Sequence, residues 1–353
     1  MEKTEATKCA LVEHYKKYPK LQLQDLFKYL YQSSFGCEHL IACPEAAADY
    51  IRKEAGQCGS GAEAYAEPLD GDYCRVHLGY LKEGLTPETL AKLFFLSAGH
   101  VEDGRTRLEE KLAAMTEAVE EGLLPFMKKD VEAEIEKWRG AGYPTCHHSE
   151  AFRAAYAPAY RLVKKEYAAF LPLFVRIDRM LQDGPVTLAV EGSSAAGKST
   201  LGELLYKVYG CTAFHMDDFF LRPEQRTPER FAEPGGNVDR ERFLEEVLLP
   251  VAKREPVAYR RFDCSTFTIK EPVIVTPTKL TVVEGAYSMH PELAEHYNLS
   301  VFLEISSEEQ KERIQKRNPE LAKRFFTEWI PMEQTYFEVM KVKERCDLVI
   351  RFE

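Results

Sequence analysis

Residues 186–201 read VTLAVEGSSAAGKSTL: an apolar run, a glycine-containing turn, then a lysine and a serine opening an amphipathic stretch. Gly192, Gly197, Lys198 and Ser199 match G-x-x-x-x-G-K-[ST], and the match falls between a predicted strand and a predicted helix, the setting that motif needs. Glycines there let backbone N–H groups turn inward around phosphate oxygens, while the following helix presents its positive end. A Gly/Ser-rich turn that fits by accident is the bland alternative, and the flanking elements weigh against it. The loop Gly192, Ser193, Ser194, Ala195, Ala196, Gly197, Lys198, Ser199, Thr200 is therefore the predicted phosphate cradle. Lys198 would reach the β and γ phosphates, and the Ser199 hydroxyl would ligate Mg²⁺.

Downstream of this loop, short β runs alternate with helical stretches. VTLAVE, CTAFHMD, LTVVEG, LSVFLEIS and DLVIRF read as strands, and STLGELLYKVY, RERFLEEVLLPVAK and EEQKERIQKRN as helices. That alternation predicts a mainly parallel α/β sheet flanked by helices over residues 186–353. Upstream, residues 1–182 read as a mostly α-helical domain. Pro44 and Pro87 suit first helical turns, with Thr86 as a cap, and EAFRAAYAPAYRLVKKEYAAFLPLFVRIDRML reads as a helix broken or kinked at Pro158 and Pro172. Gly184 and Pro185 read as the hinge.

Composition bounds the partners. The 353 residues are 45% hydrophobic and 29% charged with a formal charge of −10, which suits two ordinary globular domains and disfavours a broad nucleic-acid surface. No apolar run is long enough to predict a membrane span, and the start does not read as a signal peptide. Nine cysteines without a CxxC pair read as reduced thiols, so the expected location is cytoplasmic. A homo-oligomer is left open.

A loop that binds triphosphate does not say what receives the phosphate. Ligands of open α/β sheets sit beyond the carboxyl edge, where FHMDDFF brings Asp217 and Asp218. A carboxylate there suits a hydroxyl acceptor, whose proton needs a base; the alternative is a turn cap or a holder of metal-bound water. Glu284, closing LTVVE, suits magnesium, or is an acid tolerated at a strand end. Arg313 and Arg317 share a helix face and could close over phosphate, though such residues are often merely solvated. Tyr259, Arg260, Arg261 and Asp263 suit either an acceptor groove or an amphipathic edge strand. In the first half, FGCEH (Phe35 to His39) and CHHSE (Cys146 to Glu150) gather ligating side chains without metal spacing, and read as caps and packing at helix ends.

EGSSAAGKST, HMDDFF, NVDRERF, AYRRFD, VVEGAY, ERIQKRN and CDLVI, in this order, resemble the uridine kinase and phosphoribulokinase group of P-loop kinases over residues 186–353. The resemblance implies ATP and Mg²⁺ as cofactors. It implies that Asp217 is the base toward the acceptor hydroxyl, Glu284 a magnesium residue, Arg313 and Arg317 the lid, and Asp239 a contact to acceptor hydroxyls. Two departures stand out. AYRRFDCSTFT lacks the histidine that nucleoside-specific members carry, and the shorter stretch after the lid leaves Arg324 as a substitute. The expected function is transfer of the γ-phosphoryl group to a small-molecule hydroxyl, with a nucleoside such as uridine first, and pantothenate, glycerate or a sugar phosphate as alternatives. A nucleotide-gated regulatory module, or a bifunctional enzyme with a second reaction in the helical half, are the other readings.

Overall fold

The computed structural model describes residues 2–37, 43–56, 63–99 and 101–352. The chain divides into two units, residues 1–171 and 172–353. No helix among the described residues is long and apolar enough to cross a membrane.

In the first unit, helices Glu2–Lys17, Leu23–Phe35, Gly104–Glu120 and Lys128–Gly140 bury Leu11, Leu26, Leu30, Leu112, Met115 and Trp138 in one core. Pro44 and Pro87 open helices Pro44–Ala55 and Pro87–Leu96 as expected, and the Thr86 hydroxyl accepts from the Thr89 N–H at 3.2 Å. A proline loses nothing there, since a first-turn N–H has no helical acceptor. The unit is mostly helical as expected, and it also holds a three-stranded antiparallel sheet, Ala66–Pro68, Tyr73–His77 and Tyr160–Lys164 in that order, which corrects the helix expected over Tyr160–Lys164. Helix Glu150–Tyr156 stops before Pro158, with Ala157 left-handed at φ 41°, and the chain continues as a strand. YRLVK carries its own β preference, but its partner lies far back in sequence, where local periodicity cannot see it. Pro172 breaks nothing, sitting in the first turn of helix Leu171–Asp183.

The second unit is an α/β fold on a five-stranded, all-parallel sheet ordered Leu348–Arg351, Leu299–Glu304, Val186–Gly192, Leu280–Glu284, Thr212–His215. Every predicted strand is present. Leu188, Val190, Val282, Val283, Val301 and Leu303 are fully buried, as strands covered on both faces must be. The helix predicted over Arg240–Lys253 forms with a π turn at Leu244–Leu248, just ahead of Pro250, which has no N–H to donate.

The division falls in the first turn of helix Leu171–Asp183, between Leu171 and Pro172, ahead of Gly184–Pro185. Its Phe174 ring lies 6.1 Å from Tyr209, and the Tyr209 hydroxyl donates to Asp178 at 2.8 Å, so it packs on helix Lys198–Tyr209. Leu173, Phe174 and Ile177 are fully buried. At roughly 1.5–3 kcal/mol for each such side chain, a protein beginning at Val186 melts roughly 10 °C below one beginning at Phe170, or aggregates. Equal calorimetric midpoints for the two would contradict this boundary.

Candidate nucleotide and phosphoryl-transfer site

The strand Val186–Gly192 lies at the centre of the sheet, where strand order reverses, and runs into the loop and then helix Lys198–Tyr209. Gly192 has φ +146°, and a Cβ there would stand 2.4 Å from the Leu303 carbonyl oxygen of the neighbouring strand. No other residue fits that approach. Gly197 has φ +96° and leads into the helix. The first-turn N–H groups of Lys198, Ser199 and Thr200 have no intrahelical acceptor and face the cradle's end of the dipole.

Around this loop the structure gathers several of the expected residues. The Lys198 ammonium curls back to donate to the carbonyls of Gly192 at 2.7 Å and Ser193 at 2.9 Å. The Ser199 hydroxyl lies 3.3 Å from both Glu284 oxygens. Glu284 is 6% exposed and also meets His215 Nδ1 at 2.5 Å, which holds the His215 pKa above its usual 6.5. A hydroxyl and a carboxylate side by side form an all-oxygen donor pair suited to magnesium. Gly285, next along, has φ +139°, and a Cβ there would strike Met216 at 2.7 Å, so its bareness lets the two strand ends close together.

Asp217 sits in the short 3-10 turn Met216–Phe219 at the end of the neighbouring strand. Its surface is accessible to solvent, yet the surrounding protein partly desolvates its carboxyl and raises its pKa, opposed mainly by the Lys198 charge. Among the described residues nothing hydrogen-bonds or pairs with its carboxylate. Asp218 differs: one of its oxygens is 3.4 Å from Arg261 Nε.

The remaining expected residues divide. Arg313 reaches the loop, its guanidinium donating to the Ala195 carbonyl at 3.2 Å while pairing with Glu309. Arg317 is exposed one turn further along the helix, and Arg324 pairs with Glu328 at 3.2 Å. Asp239 is 1% exposed and acts as a helix cap, accepting from the Arg242 N–H and pairing with Arg242 at 3.1 Å and Arg222 at 3.4 Å. The Tyr259 ring packs in the core 5.3 Å from Phe214, and Arg261 donates to its hydroxyl at 3.0 Å with the guanidinium 5.7 Å from the ring centroid. Arg260 pairs with Glu246, and Asp263 with Lys270.

Several residues at the loop escaped the sequence reading. Glu333, from helix Ile330–Val339, accepts from the Ser194 N–H at 2.9 Å and from its hydroxyl at 2.5 Å. Gln310 donates to the Ser194 carbonyl at 2.8 Å. Nothing local in their sequence marks either. Glu191 did leave a signal, an acid inside an apolar strand. It is wholly buried, accepts from the N–H groups of Gly192 at 2.9 Å and Met289 at 3.1 Å and from the Tyr336 hydroxyl at 3.2 Å, and burial pushes its pKa up to about 7.

In the first unit, Ser149 caps helix Glu150–Tyr156 and the His148 ring stacks on Phe152 at 4.2 Å, the packing role expected for CHHSE. Glu38 and His39 of FGCEH lie outside the described residues. No cluster of three or more metal-ligating side chains occurs among the described residues.

No known family's sequence pattern matches the chain, and no curated protein does. Solved structures similar to it include one described as a possible uridine kinase from Bacillus stearothermophilus, with 20% identity over 51% of this chain and 99% of that one and a TM-score of 0.37. A gluconokinase from Sinorhizobium meliloti 1021 has 19% identity over 47% and 83% of the two chains and a TM-score of 0.26. A shikimate kinase from Bacteroides thetaiotaomicron has 14% identity over 46% and 84%, with a TM-score of 0.25.

Glu191 gives the second unit a pH signature. Its carboxyl stays protonated in the folded protein up to about 7, whereas the unfolded chain ionises near 4.5, so the folded state binds the extra proton between those values. Stability therefore falls as pH rises through that window, by an amount on the order of 3 kcal/mol. Urea midpoints of a chain spanning residues 170–353, taken at pH 5 and pH 8, are expected to show this drop and to lose most of it in Glu191→Gln. A drop of the same size in the variant would assign it elsewhere.

Proposed function

We propose that the chain is an ATP-dependent, Mg²⁺-requiring kinase that transfers the γ-phosphoryl group to a hydroxyl of a small molecule. The observation that carries this is the unpartnered Asp217 carboxylate at the same sheet edge as Lys198, Ser199 and Glu284. A nucleotide-binding loop alone needs no such base.

The loop N–H groups and the Lys198 ammonium suit the phosphates, and the Ser199 hydroxyl with Glu284 suits the metal. When bound, magnesium neutralises charge on the phosphate oxygens and orients them for in-line displacement. Lys198 exchanges its two carbonyl contacts for phosphate oxygens, a swap that keeps its ammonium satisfied. Asp217 accepts the proton of the acceptor hydroxyl as that oxygen attacks, and its raised pKa brings it nearer to a useful base strength. Arg313, already on the loop through Ala195, is placed to donate to the transferring group, and Arg317 would need the helix to close to join it.

A nucleoside such as uridine is the first acceptor to try, followed by pantothenate, glycerate and sugar phosphates. Asp239 and Tyr259 would shape that groove from behind, through Arg242, Arg222 and Arg261, and not by direct contact. A cytoplasmic setting with the metabolite pool at hand suits this chemistry.

ADP release measured across these hydroxyl compounds is expected to rise above the ATPase background for at least one of them. With that acceptor, Asp217→Asn loses about 10²- to 10⁴-fold in kcat while ATP still binds. Background-level turnover with every hydroxyl, or an Asn variant as fast as the parent, would remove the proposal's support.

A further inference from the structure

The first unit holds a cleft of about 850 Å³ that the kinase reading does not use. Its back wall is a hydrogen-bonded chain of buried polar groups. Arg75, 2% exposed, donates from Nε and Nη2 to Gln32 Oε1 at 3.0 and 2.8 Å. Gln32 Nε2 faces the Tyr160 hydroxyl at 3.3 Å, and that hydroxyl meets His148 Nε2 at 2.7 Å. His148 Nδ1 meets Asp25 Oδ1 at 3.0 Å, and the Ser149 hydroxyl donates to Asp25 Oδ2 at 2.6 Å. Burial lowers His148 to about 4, while hydrogen bonds from His148 and Ser149 overcome burial to hold Asp25 at about 2. At neutral pH the ring is therefore uncharged, with its Nδ1–H on the Asp25 carboxylate and Nε2 accepting from Tyr160. Every link has a donor and an acceptor, and the charges at its two ends are already met, Arg75 by Glu67 at 3.4 Å and the Asp25 carboxylate by its hydrogen bonds, so the wall offers a ligand no open charge.

The cleft's front is different. Lys28 lines it half-buried, its ammonium held among the described residues only by the Cys146 carbonyl at 3.0 Å, and Arg153 lines it from helix Glu150–Tyr156. Neither has a carboxylate partner among the described residues. Burial pushes Lys28 down to about 8, and the charges of Arg75 and then Arg153 add to it. Arg161, by contrast, is neutralised by Glu54 at 2.8 Å. Tyr50 and Phe94 give the same cleft an apolar side. A lysine taken partly out of water without a counter-ion is a standing cost, which a ligand's negative charge relieves. An apolar surface beside a few convergent charges is the usual make-up of a small-molecule site.

We propose that this cleft binds a small organic anion, its carboxylate or phosphate set between Lys28 and Arg153 and its apolar body against Tyr50 and Phe94. Saturation-transfer NMR on the full chain tests this with benzoate, phenyl phosphate and the neutral benzyl alcohol. Both anions are expected to bind, the tighter one revealing the preferred headgroup, with benzyl alcohol about tenfold weaker or worse. Lys28→Met is expected to weaken the anions about tenfold and Lys28→Arg to restore them. Arg153→Gln, at an exposed position with little folding risk, is expected to weaken them as well, and this dependence separates the cleft from the phosphate loop. Absence of transfer to both anions, equal affinity for benzyl alcohol, or anion affinity unchanged in Arg153→Gln would overturn the proposal.

Discussion

The Ser199 hydroxyl between the two oxygens of Glu284 ties a helix start to a neighbouring strand end, and the rest of the site depends on that tie. It exists because the two strands are adjacent and parallel, in register from Leu280 against Val186 to Glu284 against Val190. Parallel pairing sends both carboxyl ends to one edge. The strand carrying His215 pairs on the other side of the Leu280–Glu284 strand, which delivers Asp217 to the same edge. Two glycines make the convergence close enough to matter. Gly192 lets the loop pass the Leu303 carbonyl, and Gly285 lets the Glu284 strand end press on Met216.

Against this frame the electrostatics sort the acids into distinct roles. Glu191 is enclosed and satisfied by neutral donors, so it tends to hold its proton. Glu284 is flanked by a hydroxyl and an imidazole, Glu333 by an amide and a hydroxyl of the loop. Asp239 is neutralised by arginines. Asp217 alone among these carboxylates has solvent and no partner, which is the state a proton acceptor needs.

Much of this was legible in sequence where the signal is local. The glycine-containing turn between strand and helix declares itself within nine residues, and the five strands are short buried runs bounded by polar turns. Asp217 and Glu284 could be placed because strand ends in a parallel sheet share an edge. What escaped was non-local. The Tyr160–Lys164 strand needs its partner Tyr73–His77 to exist as a strand, and Glu333 reaches Ser194 across a tertiary contact that no spacing encodes. Asp239 and Tyr259 show the converse. Their residue types suit an acceptor groove, but only packing reveals that one caps a helix and the other fills the core. The second unit also begins earlier than its hinge-like Gly184–Pro185 suggests, because an amphipathic helix does not announce which core it covers.

The central claim is that the cradle for the triphosphate and the free carboxylate face one another across room for an alcohol. A crystal structure with a non-hydrolysable ATP analogue and magnesium tests it most directly. The account predicts the triphosphate within Gly192–Thr200, Lys198 released from the Gly192 and Ser193 carbonyls, and the terminal phosphate facing Asp217. A nucleotide seated elsewhere, or an Asp217 carboxylate turned away from that phosphate, would contradict it.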